Sequence, residues 1–112
     1  MKIEFLPEAD NEFREAARYY EGEALGVGMV FIAEVHRAMA WIARNPNAAA
    51  KIGSGIRKKV LKYFPFNLLY CIEGELVLII AVAHQKRRPR YWRSRVKQLK
   101  ERQKKTIDPS VS

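Results

Sequence analysis

With 112 residues, 48% of them hydrophobic and 29% charged, the chain has the size and composition of one globular domain with its own core. Its single cysteine, Cys71, excludes an intramolecular disulfide and favours a reducing, cytoplasmic location. The sequence contains no glycine-rich phosphate loop, CxxC pair or HExxH motif. Nucleotide-hydrolase and zinc-enzyme functions therefore have no support, and we expect neither a metal nor a cofactor.

The excess positive charge lies in the second half of the chain. The formal net charge is +9 at pH 7; residues 1–50 carry five basic and eight acidic side chains, whereas residues 51–112 carry sixteen basic and four acidic ones. A surface of this kind attracts a polyanion or an acidic protein over long range, and the attraction weakens with salt. The same charge also serves plain solvation, so charge alone leaves both interpretations open.

The first half of the chain predicts a strand followed by a helical hairpin. Residues 2–6 alternate in the manner of a short strand. Apolar residues then recur at three- and four-residue spacing, which predicts a helix over 8–21 with one buried stripe. A glycine-containing connection leads to a second helix that stops at Asn45-Pro46 and carries Glu34 mostly on its polar side. Two helices joined this closely should pack antiparallel across a sheet.

The second half predicts an antiparallel meander of three strands. Residues 47–55 show no periodicity and are expected to form a loop, and residues 56–63 are interpreted as a strand. Residues 66–73 form a clearer strand, from which a turn at Gly74 leads to Leu76–Ala83, eight consecutive apolar residues. That run is too short to cross a membrane and predicts a central strand buried on both faces.

A basic and aromatic segment follows the central strand, at a place where a rigid scaffold can present chemistry. Pro89 within this segment can open a third helix with a narrow apolar stripe. The domain is predicted to span residues 1–103, and residues 104–112 to form a frayed basic and polar tail. The fold class is therefore α+β: an N-terminal strand and an antiparallel helical hairpin packed on a mainly antiparallel sheet, ordered β-α-α-β-β-β, with a short C-terminal helix.

Three patterns in the chain carry a resemblance to a known family. They are Arg57...Val60-Leu61...Phe64-Pro65-Phe66...Tyr70, then Ala81-Val82-Ala83-His84...Arg87...Pro89...Tyr91-Trp92...Arg95, and the weaker Glu8-Ala9...Tyr19-Tyr20. With these patterns the chain resembles, over residues 2–95, the RelE/ParE superfamily of type II toxins from bacterial toxin-antitoxin modules, also called plasmid stabilisation proteins.

The resemblance implies a partner and two alternative targets. The partner is a cognate antitoxin, expected to be acidic in its toxin-binding segment, that wraps the toxin and prevents growth arrest. Relatives of RelE cut messenger RNA in the ribosomal A site without a metal, whereas relatives of ParE act on DNA gyrase and are not nucleases. The chain would accordingly be either a metal-free endoribonuclease or a gyrase poison that is not an enzyme, and no membrane partner is expected.

The candidate site residues are basic and aromatic, because metal-free RNA cleavage needs a base, an acid and cations that stabilise a charged phosphorane. The candidate catalytic residues are His84, Arg87 and Tyr91. The residues predicted to bind RNA or another target are Arg57, Lys59, Lys62, Lys86, Arg88, Arg90, Trp92 and Arg95. Structural roles compete with these functions, since His84 can cap its strand and Tyr91 and Trp92 can cover the core.

The layout slightly favours the ParE-like activity. A histidine that ends the last strand and is followed by Arg87, together with a long hairpin containing Tyr19-Tyr20, is more similar to ParE than to RelE. The richness in arginine and lysine favours the ribonuclease instead. We therefore expect inhibition of DNA gyrase, with ribosome-dependent mRNA cleavage as the alternative. A third possibility is a basic nucleic-acid-binding module without toxin activity.

Overall fold

Five strands and three helices make up the part of the chain that the computed structural model describes, residues 1–107. The elements are β1 (Lys2–Phe5), α1 (Pro7–Glu23), α2 (Val27–Arg44), β2 (Ala50–Gly53), β3 (Ile56–Val60), β4 (Phe66–Glu73), β5 (Leu76–His84) and α3 (Arg93–Ile107). The predicted α+β class is confirmed, with one strand more than expected. None of the helices within residues 1–107 is long and apolar enough to cross a membrane.

The strands form one sheet in the order β1-β5-β4-β3-β2. Four of them, β2 to β5, are antiparallel neighbours, while β1 lies parallel to β5 with Lys2 opposite Leu76. Ile80 is the extra residue of a β-bulge in β5, because Leu69 pairs with Ala81 and Tyr70 pairs with Ile79. β5 lies between β1 and β4 in the sheet, so its first half has a strand neighbour on both sides.

The additional strand is β2, which lies in the segment for which the sequence predicts a loop. β2 pairs with β3 across a turn in which Gly53, Ser54 and Gly55 all have positive φ. Alanine and glycine have low strand propensity, so this pairing depends on the neighbouring strand and the turn rather than on local preference. The loop prediction is wrong for this reason.

The predicted start of α3 is also wrong. The helix begins at Arg93 and not at Pro89, because Arg90 has a φ of 62°, in the left-handed region that a right-handed helix cannot contain. The predicted tail overlaps the end of α3, which runs to Ile107, and residues 108–112 lie outside the described residues. Residues 85–92 form a turn-rich loop between β5 and α3.

Helices cover both faces of the sheet. The helical hairpin lies on one face, where the largest fully buried side chains are Tyr70, Phe31, Ile42 and Leu68. On the other face, Trp92, the residue before α3, belongs to a second core with Ile80. Every residue from Val77 to Ala83 is buried, which confirms the prediction of a central strand covered on both faces.

The two helices of the hairpin approach closely at a glycine. A Cβ atom added to Gly28 would lie 2.7 Å from the carbonyl oxygen of Ala17 on α1, so a larger residue would push the helices apart. Glu21 fixes the same junction, because its carboxylate accepts the backbone N–H groups of Gly26 at 2.9 Å and Gly28 at 3.0 Å. The hairpin therefore has a defined geometry over the sheet.

Glu34 of α2 holds the end of β3, although the sequence places it mostly on the polar side of its helix. Only 5% of Glu34 is exposed, and its Oε1 accepts the N–H groups of Lys62 at 2.8 Å and Tyr63 at 2.7 Å. These two N–H groups do not pair with another strand, so β3 ends at Val60 and not at Tyr63 as predicted. A carboxylate here satisfies backbone donors that a shorter side chain would leave unpaired.

We expect Glu34→Ala to lower the free energy of unfolding by about 2 kcal/mol, because two partly buried N–H groups lose their acceptor. Glu34→Gln retains an oxygen and should lose less. Urea denaturation of both variants measures the difference, with Arg37→Ala, at an exposed position of the same helix, as the control. Equal unfolding midpoints for Glu34→Ala and Arg37→Ala would contradict the role of Glu34.

Candidate functional site

The site is built at the point where β1 ends and leaves the second half of β5 without a strand neighbour on that side. The carbonyl of Ile79 still accepts the N–H of Leu6 at 2.9 Å, but the chain then turns into α1. Glu12 of α1 accepts the N–H of Val82 at 3.0 Å, and Arg95 of α3 donates to the carbonyl of Ile80 at 3.0 Å. Two side chains thus complete the edge of the sheet.

The same two side chains form a partly buried ion pair. Arg95 Nη1 lies 2.8 Å from Glu12 Oε1 and Arg95 Nη2 lies 2.9 Å from Glu12 Oε2, a bidentate geometry. The two side chains are 14% and 15% exposed. The hydrogen bond to Glu12 raises the pKa of Arg95, so the guanidinium stays charged. The pair joins α1 to α3 across the end of β5.

Tyr91 extends this network into the basic loop. Its hydroxyl donates to Glu12 Oε2 at 2.7 Å, and the guanidinium carbon of Arg87 lies 4.0 Å from the centre of its ring. Burial, followed by the hydrogen bond and the charge of Glu12, raises the pKa of Tyr91 well above its usual range. Tyr91 therefore keeps its proton and supports Arg87 by a cation–π contact.

His84 ends β5 and turns the chain into the loop. Its Nδ1 accepts the backbone N–H of Lys86 at 3.0 Å, and its ring packs edge-on against Phe66 with centroids 5.1 Å apart. His84 thus caps its strand by accepting a backbone N–H, whereas the cap considered from the sequence would bond a backbone carbonyl. His84, Arg87 and Tyr91 line a small cavity of about 230 Å³ at the α1 side of the loop.

A larger cavity of about 380 Å³ lies on the opposite side of the loop, over the open end of the sheet. The strands contribute Ile52, Lys58, Asn67, Leu69, Ala83 and His84 to its wall, and the loop contributes residues 85–92 except Lys86. Four cations surround it: Lys58, Arg87, Arg88 and Arg90. The arrangement can hold an anionic group against a partly apolar surface.

The structure brings six of the residues predicted for the site into the wall of the larger cavity, and the other five are not part of that wall. The six that line the larger cavity are His84, Arg87, Arg88, Arg90, Tyr91 and Trp92. Lys86 is exposed on the same loop. Trp92 is only 8% exposed and belongs mainly to the second core.

Four predicted binding residues have structural contacts elsewhere. Arg57 Nη1 donates to the carbonyls of Asn47 at 2.9 Å and Ala49 at 2.8 Å, and so holds the segment before β2. The ammonium of Lys59 lies 4.1 Å from the Trp41 ring centre on the helical face, and that of Lys62 lies 5.2 Å from the ring centre of Tyr63. Arg95 is engaged with Glu12.

Sequence reasoning missed Glu12, which holds the site together, and omitted Lys58 and Asn67 from the candidate residues. A signal for Glu12 was present: it lies three residues after Ala9 and four before Ala16, which both belong to the buried stripe of α1. A charged residue at such a position needs a buried partner. The pairing of Lys58 with Leu69 places that lysine on the face opposite the hairpin, which only the register shows.

Cys71 is not a reactive group of this site. Burial, the nearby charge of Glu73 and a hydrogen bond to its carboxylate raise the pKa of the Cys71 thiol to about 11. A thiol with a raised pKa is a poor nucleophile. Cys71 lies half-buried on β4.

We expect Glu12→Gln to destabilise the fold by about 3 kcal/mol, because it leaves the Arg95 guanidinium without a countercharge in a partly buried position. Thermal and urea unfolding measure the loss. The control is Glu15→Gln, the same change at an exposed position on the same helix. Similar stabilities for the two variants would show that the ion pair does not hold α3.

Tyr91 should also make the stability depend on alkaline pH. Because its folded-state pKa is raised above the usual 10.0, its contribution is complete below about pH 10 and is lost as the pH rises further. The free energy of unfolding should therefore fall more steeply above pH 10 in the wild type than in Tyr91→Phe, by up to about 1.4 kcal/mol per pH unit. Tyr63→Phe, at an exposed position, should keep the wild-type slope, and equal slopes for all three proteins would refute the prediction.

The comparisons with known proteins agree with this architecture. The sequence model of the family described as ParE toxin of type II toxin-antitoxin system, parDE, matches residues 3–89. A search of curated proteins gave no significant match. Among solved structures, a chain of the chromosomal ParDE toxin-antitoxin system from P. aeruginosa is similar, with a TM-score of 0.57 and 16% identity over 75% of this chain and 95% of that one. The structural likeness shows the fold, the family match covers most of the chain, and the protein therefore belongs to the ParE toxin family of type II toxin-antitoxin systems.

Proposed function

We propose that the protein arrests growth by inhibiting DNA gyrase and that a cognate antitoxin neutralises it. The basic loop between β5 and α3 is the proposed contact surface for gyrase. Membership in the ParE family supports this proposal, as does the likeness of the fold to a chain from a ParDE toxin-antitoxin system. An antitoxin with an acidic binding segment would match the positive second half of the chain.

The observation that carries the choice of gyrase over RNA cleavage is the state of Tyr91. Its hydroxyl donates to Glu12 and its pKa is raised, so it is poorly suited to give or take a proton at neutral pH. Arg95, another candidate, is committed to the same carboxylate. The network supports a fixed surface for binding better than an acid–base pair for catalysis.

The loop has the properties of a protein contact surface. Lys86, Arg87, Arg88 and Arg90 are exposed, and none of them forms an ion pair with another residue in the described range. Arg87 is nevertheless held in place by its contact with the Tyr91 ring. An exposed but fixed arginine loses little side-chain entropy on binding, which favours a central role in an interface.

Ribosome-dependent mRNA cleavage remains the alternative, and one feature favours it. His84 and Arg87 line a cavity with Lys58, so an imidazole that could transfer a proton lies near cations that could hold a phosphate. In this alternative His84 would transfer the proton through Nε2, because Nδ1 accepts the N–H of Lys86.

The deciding experiment tests both activities on one protein preparation. We expect the purified protein to inhibit gyrase supercoiling and to leave mRNA intact in a translating-ribosome assay. Arg87→Ala should raise the concentration needed for gyrase inhibition by about tenfold, because it removes a fixed contact residue. Arg18→Ala, at an exposed position on α1, is the control and should behave as the wild type.

New codon-positioned RNA ends with normal gyrase activity would establish the alternative, and His84→Ala should then abolish them. Growth arrest on expression, relieved by a co-expressed acidic antitoxin, would support the toxin role but would not distinguish the two targets. Normal growth with verified soluble protein would contradict the toxin role.

A further inference from the structure

A third cavity, of about 190 Å³, lies on the helical face of the sheet, between α2 and the end of β3. It shares no lining residue with the two cavities at the loop between β5 and α3. The buried residues Glu34, Ala38 and Leu61 form its floor, and the exposed residues Arg37 and Lys62 lie at its mouth. Pockets for small molecules usually span about 300–1,000 Å³, so this cavity suits one ring system better than a larger ligand.

The carboxylate at the floor of this cavity has one oxygen without a hydrogen-bond donor. Glu34 is only 5% exposed, and its Oε1 accepts the N–H groups of Lys62 and Tyr63, but its Oε2 accepts none from the described residues. No lysine or arginine in the same range forms an ion pair with Glu34. A buried carboxylate oxygen is costly without a donor. Oε2 is therefore suited to accept an N–H or O–H group of a ligand.

The mouth of the cavity carries the opposite charge. Arg37 and Lys62 are exposed and Lys59 is half-buried, and none of the three forms an ion pair in the part of the chain that the structure describes. The two charges restrict the ligand, because the mouth repels a simple cation and Glu34 repels a simple anion. A molecule with a hydrogen-bond donor at one end and an anionic group at the other matches both ends of the cavity.

Two aromatic rings line the space between floor and mouth, those of Trp41 and Tyr63. The ammonium of Lys59 lies 4.1 Å from the Trp41 ring centre, and that of Lys62 lies 5.2 Å from the Tyr63 ring centre. Cation–π contacts near the surface are weaker than charge-assisted hydrogen bonds, so both lysines can leave the rings for an anionic group. The faces of the rings can then stack on a planar part of the ligand.

We propose that this cavity binds a guanine nucleotide, with the base inside and the phosphates at the mouth. Guanine places two donors side by side on its Watson–Crick edge, N1–H and the 2-amino group, and both can be directed at Oε2 of Glu34. Adenine and cytosine place an accepting ring nitrogen beside their amino group, and uracil places a carbonyl on each side of its N–H. These three bases would bring a lone pair towards the carboxylate. The phosphates would replace the aromatic rings as partners of Lys59 and Lys62.

The nucleotide site goes beyond the proposed function and does not depend on it. No residue that lines the cavity belongs to the loop proposed to contact gyrase. Only binding is proposed, with no reaction on the nucleotide. Binding is measured on the purified full-length protein without gyrase, so the failure of one proposal is distinguishable from the failure of the other.

The test is isothermal titration calorimetry with GDP, inosine diphosphate, ADP, CDP and pyrophosphate. We expect GDP to bind most tightly. Inosine diphosphate lacks only the 2-amino group and should bind several-fold more weakly, whereas ADP and CDP should bind about tenfold or more weakly, because a hydrogen bond to the carboxylate is lost or opposed. Pyrophosphate measures the contribution of the cations at the mouth without a base.

Glu34→Gln is the deciding variant. Its amide oxygen can still accept the backbone N–H groups of Lys62 and Tyr63, while its NH₂ group puts a donor where the free acceptor was. GDP should bind about tenfold or more weakly, and the preference for GDP over ADP should disappear. Partial unfolding would lower the affinity for all probes alike, so it cannot produce this change in preference. Arg18→Ala, at an exposed position of α1 outside the cavity, is the control and should bind as the wild type.

A short single-stranded RNA with one guanine, compared with the same RNA with adenine in its place, distinguishes a free nucleotide from a nucleotide within a strand. Tighter binding of the guanine RNA than of GDP, lost in Glu34→Gln, would support the base site and identify the strand as the source. Tighter binding of GDP would identify the free nucleotide. Equal affinity of the wild type for GDP, ADP and pyrophosphate would overturn the proposal, as would unchanged GDP affinity in Glu34→Gln or no measurable binding of any guanine probe.

Discussion

The structure depends on how the edge of β5 is completed after β1 ends at Phe5. Backbone groups that lose a strand neighbour need other partners when they are partly buried, and here a carboxylate from α1 and a guanidinium from α3 supply them. Because Glu12 and Arg95 also bind each other, the pair that completes the edge of β5 also fixes the positions of the helical hairpin, the C-terminal helix and the loop between β5 and α3. The position of Tyr91, and through it that of Arg87, follows from the same pair.

Two glutamates on the buried sides of their helices accept hydrogen bonds from backbone N–H groups that have no strand partner. Glu12 accepts a hydrogen bond from one backbone N–H group of β5, and Glu34 accepts hydrogen bonds from two N–H groups of the segment after β3. Both are in the acidic first half of the chain, so part of its negative charge is used inside the fold. Apart from Arg95, the cations of the loop and of residues 93–100 form no ion pair within the described residues, and the outer surface there is therefore more basic than the fold requires.

The sequence predicted the architecture well, because the hairpin and the strands β4 and β5 have strong apolar patterns that tertiary contacts reinforce. It failed at β2, whose alanine and glycine residues pair only because β3 lies beside them, and at α3, where the left-handed Arg90 delays the helix. The candidate site stays a prediction: the sequence places its basic and aromatic residues in one segment, but it does not give their contacts. Periodicity locates His84 and Arg87 after a core strand, but it does not show that Arg57 and Arg95 bind other groups of the protein.

The pairing of the first strand with the last has a consequence for synthesis. β1 is synthesised long before its partner β5, which begins at Leu76, and the contact between Glu12 and Arg95 spans 83 residues. Long-range contacts of this kind form late, since the chain between them must be made and its ends brought together. A nascent chain that lacks α3 therefore has no completed edge, so the shape proposed to act on the target is acquired only after α3 has been synthesised.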